Sequence, residues 1–449
     1  MTGVQLTILG GGGFRVPLVV DSVAGARARV DIDEIVLYDL DPARLQVIAA
    51  VVAEQLAGRP DAPRVRLETD LRSAVENTDV VFSAMRVGGT EGRVRDEQVA
   101  RDLGVLGQET IGPGGLAYAM RTVPVVDGVA RLVADVAPQA WVVSFTNPAG
   151  LVTEAMRTHL GDRVVGICDT PIGLLRSAAR AIRLPQREVT GDYLGLNHLG
   201  WLRSLEHDGT DHLPSLLADR RLLLRLDEAA LYDVAWLQAL GCLPGEYLHY
   251  YEPEAVAEQS GQSGTGRAEF LARQQAAFFD AGPGEGAAQR WKATLAEREN
   301  TYMADARTRE HTDLSGGQRE GGGYHEVAVD LMAALLTGAP AWMILNLAND
   351  GVIPTLPDDA VIEVSAQVDA GGARPIGSHA PLPLAQLGLV TSVKASERLA
   401  IEAARTGSRE LAWRAFAEHP LVRSPELGRK LLDGYLAAEP LLREVLTIP

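Results

Sequence analysis

The chain has 449 residues, a length that suggests two domains. Of its residues, 46% are apolar and 22% are charged, a composition typical of a globular protein. Its formal net charge of −17 argues against broad electrostatic capture of nucleic acid or of an anionic membrane. With only two cysteines, Cys168 and Cys242, there is no disulfide framework. Because the first residues also lack the pattern of a secretion signal, we expect a cytoplasmic protein.

The first half of the chain alternates predicted strands with predicted helices. Residues 4–9 read as a strand, and residues 13–26 read as a helix that follows four consecutive glycines. Residues 34–38 read as a second strand, and an amphipathic helix (LQVIAAVVAEQL) comes after it. Further apolar runs are DVVFSAM (79–85), AWVVSFTNPAG (140–150) and RVVGIC (163–168), with helical text between the last two. The alternation predicts an α/β fold with a doubly wound, parallel sheet of Rossmann type.

The pattern loosens after about residue 195. The later features are charged helical segments at 216–240 and 284–310, an apolar helix, turn and strand within 328–348, and closing helices over 391–446. We therefore predict a Rossmann-type domain over 1–195 and an α+β domain over 196–449. The Gly-rich stretches 260–266 and 315–323 are typical of functional loops.

The glycine run after the first strand is a candidate phosphate-binding turn. Gly10 and Gly12 fit the first two positions of the dinucleotide fingerprint, but Arg15 occupies the third. Asp39, at the end of the second strand, is suited to bind a ribose diol and favours NAD over NADP. The alternative is a Gly-rich turn that binds no nucleotide. The predicted cofactor-binding residues are Gly10, Gly11, Gly12, Gly13, Phe14 and Asp39.

Several motifs occur in the order found in one enzyme family. They are GGGGFRVP (10–17), GVLGQETIGPGG (104–115), SFTNPAG (144–150), GICDTPIG (166–173), GLNHLGW (195–201) and PGEYLHYY (244–251). In these motifs the chain resembles the family 4 glycoside hydrolases, NAD- and metal-dependent 6-phospho-glycosidases with a fold similar to that of lactate and malate dehydrogenases. The resemblance implies redox-assisted elimination: transient oxidation at C3 of the sugar, deprotonation at C2, loss of the aglycone and addition of water.

The resemblance assigns a metal pair and a base. Cys168 and His198 match the family's metal ligands, and the implied ion is Mn²⁺, although a thiolate and an imidazole alone would suggest Zn²⁺ or Fe²⁺. Tyr247 matches the base that deprotonates C2, and Glu109 matches a residue that tunes this tyrosine. A phenol with an ordinary pKa near 10 needs a nearby cation to act as a base at neutral pH. Taken singly, each of these residues could equally be a packing or hydrogen-bonding residue.

Three residues match substrate-binding positions of the family: Arg93, Asn147 and Arg267. Arginine suits a phosphate or sugar oxygens because its guanidinium binds them with two parallel hydrogen bonds. Two neighbouring arginines, at positions 86 and 95, make the choice of Arg93 open. Asn147 could instead serve only as a turn residue before a proline.

Asp169, directly after the predicted metal cysteine, bears on the anomeric preference. Members of the α-glucoside branch carry an aspartate here as the general acid, whereas the remaining motifs look like those of 6-phospho-β-glucosidases. Asp169 could protonate the leaving group, bind the water shell of the metal or cap the helix that follows. An α-glucosidase, α-galactosidase or galacturonidase therefore remains an alternative to a 6-phospho-β-glucosidase.

Two alternatives lie outside the family: an NAD-dependent hydroxy-acid dehydrogenase and a nucleotide-binding protein without catalysis. Neither accounts for the set Cys168, His198 and Tyr247. We expect a phosphorylated disaccharide or glycoside as substrate, no nucleic-acid or membrane partner, and a homodimer or homotetramer, as in relatives of this family.

Overall fold

The computed structural model describes residues 3–226, 228, 231–252, 266–300 and 323–448. Its main feature is one large mixed sheet, accompanied by a small two-stranded hairpin. The strands are β1 (Val4–Leu9), β2 (Ile32–Tyr38), β3 (Arg64–Glu68), β4 (Val80–Ser83), β5 (Trp141–Ser144), β6 (Val164–Gly166), β7 (Tyr193–Leu196), β8 (Leu199–Leu202), β9 (Glu206–His207), β10 (Thr210–Asp211), β11 (Leu243–Pro244), β12 (Ala341–Ala348), β13 (Val361–Asp369) and β14 (Gly372–Pro375).

The first six strands form a parallel half-sheet in the order β3-β2-β1-β4-β5-β6. This is the strand order of dinucleotide-binding folds, in which the order reverses beside the first strand. The predicted doubly wound parallel sheet is thereby confirmed. The predicted helix over 13–26 begins only at Val16, because the glycines before it form turns that are closed by Gly13 N–H to the Gly10 carbonyl and Val16 N–H to the Gly13 carbonyl.

The second half of the chain extends the same sheet with antiparallel strands. β12 pairs with β6 and β13, and the order continues through β7, β8 and β11. β14 pairs with the outer part of β13. The predicted boundary between residues 195 and 196 lies inside β7, and the division into two domains stays a prediction.

Helices cover both faces of the sheet. They are α1 (Val16–Gly25), α2 (Pro42–Leu56), α3 (Leu71–Val75), α4 (Gly89–Asp102), α5 (Gly112–Val136), α6 (Ala149–Leu160), α7 (Thr170–Ala181), α8 (Leu213–Ala218), α9 (Arg220–Leu223), α10 (Val234–Leu240), α11 (Arg267–Asp280), α12 (Ala287–Asn300), α13 (Tyr324–Thr337), α14 (Leu384–Thr406), α15 (Arg409–Glu418), α16 (Pro425–Ala438) and α17 (Pro440–Val445). A 3₁₀ helix spans Glu246–Tyr251. The charged text at 216–240 forms short helices, and the apolar block 328–348 forms a helix, a turn and a strand as predicted.

Two apolar cores hold the layers together. The first packs α1, α2, α7 and α13 against one face of the sheet, and it contains Val20, Ile48 and Leu331, each fully buried. The second packs α5, α6, α14, α15 and α16 on the opposite face, around residues such as Val123 and Phe416. Burial of apolar surface on both faces explains why β4 and β5 read as continuous apolar runs rather than alternating ones.

Parts of four predicted segments lie outside the described residues, and one of them is the charged segment 216–240, at residues 227, 229 and 230. The Gly-rich stretches 260–266 and 315–323 are described only at positions 266 and 323, and the helical prediction over 284–310 only up to residue 300. Across the described ranges, no helix combines the length and apolar character needed to cross a bilayer.

Candidate active site

The candidate site lies along the carboxyl edge of the parallel half-sheet. Gly10 follows β1, Asn147 follows β5 and Cys168 follows β6, so three separate motifs reach the same edge. The turn between β7 and β8 brings His198 to this edge from the antiparallel side. In open α/β sheets, ligands bind where the strands end at the point of reversed order.

The glycine turn is shaped by close backbone contact with β2. Gly10 has φ +83°, a value that favours glycine, and a Cβ placed there would lie 2.7 Å from the Ala84 carbonyl oxygen. A Cβ on Gly11 would lie 2.7 Å from the Tyr38 nitrogen. Both glycine N–H groups donate to the Tyr38 carbonyl, at 3.0 and 2.7 Å. The turn therefore leads directly to the start of α1, whose N-cap residue Arg15 makes no side-chain capping hydrogen bond.

Asp39 and Phe14 have structural contacts of their own. The Asp39 carboxylate accepts from the Gly12 N–H at 2.9 Å and from the Asp41 N–H at 3.1 Å, and so ties the glycine turn to the end of β2. The Phe14 ring is buried edge-on against Phe278, with centroids 5.2 Å apart. Both residues thus help to shape the turn, and their cofactor roles stay predictions.

The predicted metal pair comes together. Cys168 Sγ and His198 Nε2 lie 3.6 Å apart, and both residues are buried. One ion could reach both donors, since metal–sulfur and metal–nitrogen bonds of about 2.3 and 2.1 Å together exceed this separation. Among the described residues, no group of three or more His, Cys, Asp and Glu side chains is placed to hold a metal. The pair therefore offers two ligands, and a bound ion would take others from substrate or water.

Burial sets the protonation of this pair. It lowers the pKa of His198 to about 4, so the imidazole is neutral at pH 7 and can donate a lone pair. Burial also raises the pKa of the Cys168 thiol well above its usual value, and the negative charges of Glu363 and Asp169 raise it further. A divalent cation must therefore displace the thiol proton when it binds.

Tyr247 lies beside the metal pair. Its ring stacks on the His198 imidazole with centroids 3.8 Å apart and planes 10° apart. The 3₁₀ helix Glu246–Tyr251 carries it there, directly after β11 pairs with β8. Three sequence-predicted residues, Cys168, His198 and Tyr247, thus form one continuous cluster.

Asp169 is the first residue beyond Cys168 and occupies the N-cap position of α7. Its side chain makes no capping hydrogen bond, which removes the simplest structural explanation for an aspartate at this position. Its charge acts on both neighbours, since it raises the pKa of Cys168 and opposes the lowering of the pKa of His198. The charge of Asp169 therefore acts on both proposed metal ligands.

Glu109 is held by two arginines. Arg86 Nη2 and Arg93 Nη1 lie 2.7 and 2.8 Å from its carboxylate oxygens. Burial alone would raise the pKa of Glu109, but the charges of the two arginines outweigh it and lower the pKa to about 2. Glu109 is therefore ionised throughout the physiological range, and its charge also acts on His198.

Arg93 is the least exposed of the three arginines at positions 86, 93 and 95, and it forms two close ion pairs. It is 9% exposed and binds Glu97 and Glu109, each at 2.8 Å. Arg95 binds the buried Glu439 at 2.9 Å. Arg86 is 32% exposed, as is Arg95, but unlike Arg95 it pairs with a site residue, Glu109. Arg86 thus joins Arg93 as a candidate for substrate contact.

Additional arginines gather near Glu109. Burial lowers the pKa of Arg298 to about 9, and the positive charges of Arg15, Arg93 and Arg267 contribute to this lowering. Arg267 Nη2 lies 3.5 Å from the Arg298 carbonyl oxygen. Such a concentration of positive charge is typical of a site that binds an anion.

Two of these arginines, Arg15 and Arg298, were not predicted from the sequence as site residues. Arg298 lies in a charged helical segment that looks like a solvated helix, so no sequence signal marked it. In the sequence, Arg15 marks only a departure from the glycine fingerprint. In the structure its guanidinium lies 4.2 Å from the centre of the Tyr324 ring. Asn147 lies three residues beyond the end of β5 and precedes a cis peptide bond to Pro148, and its Nδ2 lies 3.5 Å from the Phe145 carbonyl oxygen.

Comparison with known proteins decides the family. A model described as "Family 4 glycosyl hydrolase" matches residues 5–184, and one described as "Family 4 glycosyl hydrolase C-terminal domain" matches residues 193–422. The chain belongs to family 4 of the glycosyl hydrolases. The resemblance inferred from the motifs is thereby confirmed.

Individual family 4 proteins are similar over almost their whole length. A probable 6-phospho-beta-glucosidase of Bacillus subtilis is 29% identical, over 97% of this chain and 96% of the relative. A 6-phospho-alpha-glucosidase of Lacticaseibacillus paracasei is 28% identical, over 97% of each chain. The solved 6-phospho-beta glucosidase of Thermotoga maritima with manganese, NAD⁺ and glucose-6-phosphate has a TM-score of 0.81 and 26% identity, over 99% of this chain and 100% of that one.

The comparisons also bear on the predicted fold and cofactors. Malate dehydrogenase from Plasmodium falciparum shares the fold, with a TM-score of 0.53 and 12% identity over 90% of this chain and 99% of that one. The predicted cofactors, NAD and Mn²⁺, are those bound in the Thermotoga maritima family 4 structure. Both anomeric specificities occur among the family 4 relatives at nearly equal identity.

Proposed function

We propose that this chain is a phospho-glycosidase of family 4 that hydrolyses 6-phospho-β-glucosides with the help of NAD and a divalent metal, Mn²⁺ in the first place. One observation carries the proposal: Cys168 and His198 lie 3.6 Å apart and Tyr247 stacks on His198. Two metal ligands and a phenol in one buried cluster beside a dinucleotide-type turn match the requirements of redox-assisted elimination. The relatives with 6-phospho-glucosidase names support the substrate class.

The residues present suit both groups. The glycine turn leads into α1, the arrangement that binds the pyrophosphate of a dinucleotide in such folds, and the Asp39 carboxylate lies at the end of β2, where ribose hydroxyls bind in them. The neutral imidazole of His198 and the thiol of Cys168 supply a nitrogen and a sulfur donor to a metal. His198 Nδ1 is buried without a hydrogen-bond partner in the described part of the chain, so Nε2, which faces Cys168, is the donor aimed at the site.

When bound, NAD⁺ and the metal supply a hydride acceptor for C3 and a Lewis acid for the sugar hydroxyls at C2 and C3. The protein residues move the protons. Tyr247 takes the proton from C2 as the base, and its ring lies against His198, one of the two residues that would hold the metal. Asp169 protonates the departing aglycone oxygen. The ionised Glu109, paired with Arg86 and Arg93, acts on His198 through its negative charge.

The phosphate of the substrate is proposed to bind the arginine cluster. Arg267 and Arg298 provide positive charge at the start of α11 and near the end of α12, and Arg86 and Arg93 pair with Glu109. Burial, and then the positive charges of Arg15, Arg93 and Arg267, lower the pKa of Arg298, and a dianionic phosphate is suited to such a group of arginines. The glucose-6-phosphate in the Thermotoga maritima structure supports a phosphorylated sugar.

A turnover assay with three substrates tests this function. The substrates are nitrophenyl 6-phospho-β-glucoside, its α-anomer and the unphosphorylated β-glucoside, each with and without NAD⁺ and Mn²⁺ under reducing conditions. We expect hydrolysis of the phosphorylated β-anomer only when both additives are present, because each supplies a separate part of the elimination. Loss of the phosphate is expected to lower kcat/KM by about 10²-fold, the effect of about two lost charge-assisted hydrogen bonds.

Each other outcome of this assay points elsewhere. Cleavage of only the α-anomer would place the enzyme in the α-branch and make Asp169 the deciding residue. Hydrolysis of the phosphorylated β-anomer without NAD⁺ or metal by dialysed enzyme would refute the proposed chemistry. A net rise in NADH with hydroxy acids would support the dehydrogenase alternative instead. The homodimer or homotetramer stays a proposal that rests on the family resemblance, and the cytoplasmic location stays one that rests on the low cysteine content.

A further inference from the structure

A buried carboxyl lies behind the candidate metal pair. Glu363, in the middle of β13, is fully buried. Its Oε1 accepts from Asn197 Nδ2 and from Asn346 Nδ2, each at 3.0 Å. Its Oε2 lies 3.3 Å from the Tyr193 hydroxyl. The carboxyl thus links three elements, β7, β12 and the turn after β7, and no step of the proposed chemistry uses it.

The turn that Glu363 contacts carries the proposed metal ligand. Asn197 and His198 are the two residues between β7 and β8, since Leu196 pairs with Leu199. His198 has φ +62°, in the left-handed region where residues other than glycine are strained. A strained conformation persists only where the surroundings fix it. The hydrogen bond from the Asn197 side chain to Glu363 anchors this turn to the neighbouring strand.

We propose that Glu363 is a positioning residue for the metal site: through Asn197 it holds the β7–β8 turn so that the His198 imidazole faces Cys168. The inference rests on the proposed function, since it takes Cys168 and His198 as metal ligands. Hydrogen bonds of this kind around a metal site fix the orientation of the ligands and change metal affinity by about 10- to 100-fold.

The link works in either protonation state of Glu363. Burial raises the pKa of Glu363 to about 7, and the hydrogen bonds from Asn197 and Asn346 oppose this rise. Oε1 accepts two hydrogen bonds in both the neutral and the ionised form, while Oε2 can either donate to or accept from the Tyr193 hydroxyl. A glutamine at position 363 reproduces the same pattern of one acceptor and one donor. The acceptor geometry, and not the charge, is therefore the part that positions His198.

Mn²⁺ binding by the purified full-length enzyme tests the inference without relying on turnover. Free Mn²⁺ is counted by electron paramagnetic resonance during titration, with no substrate present. We expect Glu363→Ala and Asn197→Ala each to weaken Mn²⁺ binding by about 10-fold or more, and Glu363→Gln to stay within about threefold of the wild type. NAD⁺ affinity is expected to be unchanged in all three, because the glycine turn lies on the other half of the sheet.

Ser365→Ala is the matched control. Ser365 is buried in the same strand, and its hydroxyl donates to the Gly191 carbonyl at 2.7 Å and accepts from the Tyr193 N–H at 3.0 Å. Its removal breaks two buried hydrogen bonds without touching the turn that carries His198. We expect Mn²⁺ affinity within about threefold of the wild type. A general effect of loosening β13 would instead weaken binding as much here as in Glu363→Ala.

The outcomes separate the inference from the function on which it rests. Wild-type Mn²⁺ affinity in Asn197→Ala or Glu363→Ala, while Cys168→Ser loses the ion, would overturn the positioning role alone. A Glu363→Gln variant as weak as Glu363→Ala would overturn it too, because charge would then be the active property. If Cys168→Ser itself binds Mn²⁺ normally, the metal assignment fails. Should Glu363→Ala not fold, Asn197→Ala removes the same hydrogen bond from the turn and decides the matter.

Discussion

Cys168→Ser is expected to lose Mn²⁺ binding and to lower kcat/KM for the phosphorylated glucoside by about 10³-fold, or about 4 kcal/mol of transition-state stabilisation. A serine hydroxyl at this position is a neutral oxygen with a shorter bond to Cβ, and it does not ionise as a thiol does when a metal binds. NAD⁺ affinity is expected to stay within about twofold, since the glycine turn and Asp39 share no contact with Cys168 in the described structure. Isothermal titration with NAD⁺ and with Mn²⁺ measures the two separately.

Cys242→Ser provides the control for this variant. Cys242 is also a buried cysteine, but its sulfur accepts from the Gln386 amide at 3.4 Å, in a cavity of about 400 Å³ that is lined by residues such as Asp192 and Arg203. Full activity with Mn²⁺ is expected for this variant. Equal losses in both cysteine variants would indicate a general effect on folding, and full activity of Cys168→Ser would remove Cys168 as a ligand.

Tyr247→Phe is expected to lower kcat by about 10²- to 10⁴-fold, the usual contribution of a positioned base. Phenylalanine preserves the ring that stacks on His198 at 3.8 Å and removes only the hydroxyl, so Mn²⁺ and NAD⁺ affinities should be retained. Exchange of the C2 hydrogen of the substrate with solvent, followed by proton magnetic resonance in D₂O, measures the step directly. It is expected to fall with kcat.

The matched control for the tyrosine is Tyr251→Phe. Tyr251 ends the same 3₁₀ helix, and its ring lies 6.4 Å from the His419 ring, away from the His198–Tyr247 stack. Near-normal exchange is expected in this variant. If Tyr247→Phe also exchanges the C2 hydrogen at the normal rate, another group is the base.

Most of the parallel half of the fold is predictable from the sequence because its central strands are buried on both faces, whereas the edge strand β3 is partly exposed and has no such signal. Continuous apolar runs such as the one in β4 mark the central strands, and short turn motifs at their ends mark the carboxyl edge. From the sequence, Cys168, His198 and Tyr247 could be assigned to one site only through the family resemblance. Local pattern alone leaves each of them a packing residue, since the Cys168–His198 and His198–Tyr247 contacts join residues 30 and 49 positions apart.

The antiparallel half was less predictable, and β13 shows why. Its sequence, VIEVSAQVD, places Glu363 and Ser365 where an exposed face would carry polar side chains, and no strand was assigned there. In the structure this polar face is buried, because Asn197 and Asn346 satisfy the carboxyl and because Ser365 bonds the backbone near Gly191. The alternation in this sequence is intact and is itself a strand signal, but it predicts that the polar face is exposed. The groups that satisfy this face come from distant segments, and they leave no local signal that the face is buried.

The most direct test of redox-assisted elimination is the fate of the C2 hydrogen in the wild-type enzyme. Hydrolysis of 6-phospho-β-glucoside in D₂O with NAD⁺ and Mn²⁺ should give glucose 6-phosphate that carries deuterium at C2, with no net formation of NADH. Deuterium appears at C2 because the reaction removes the C2 hydrogen as a proton and later returns a deuteron from the solvent. Product that retains all of its original C2 hydrogen would contradict the mechanism.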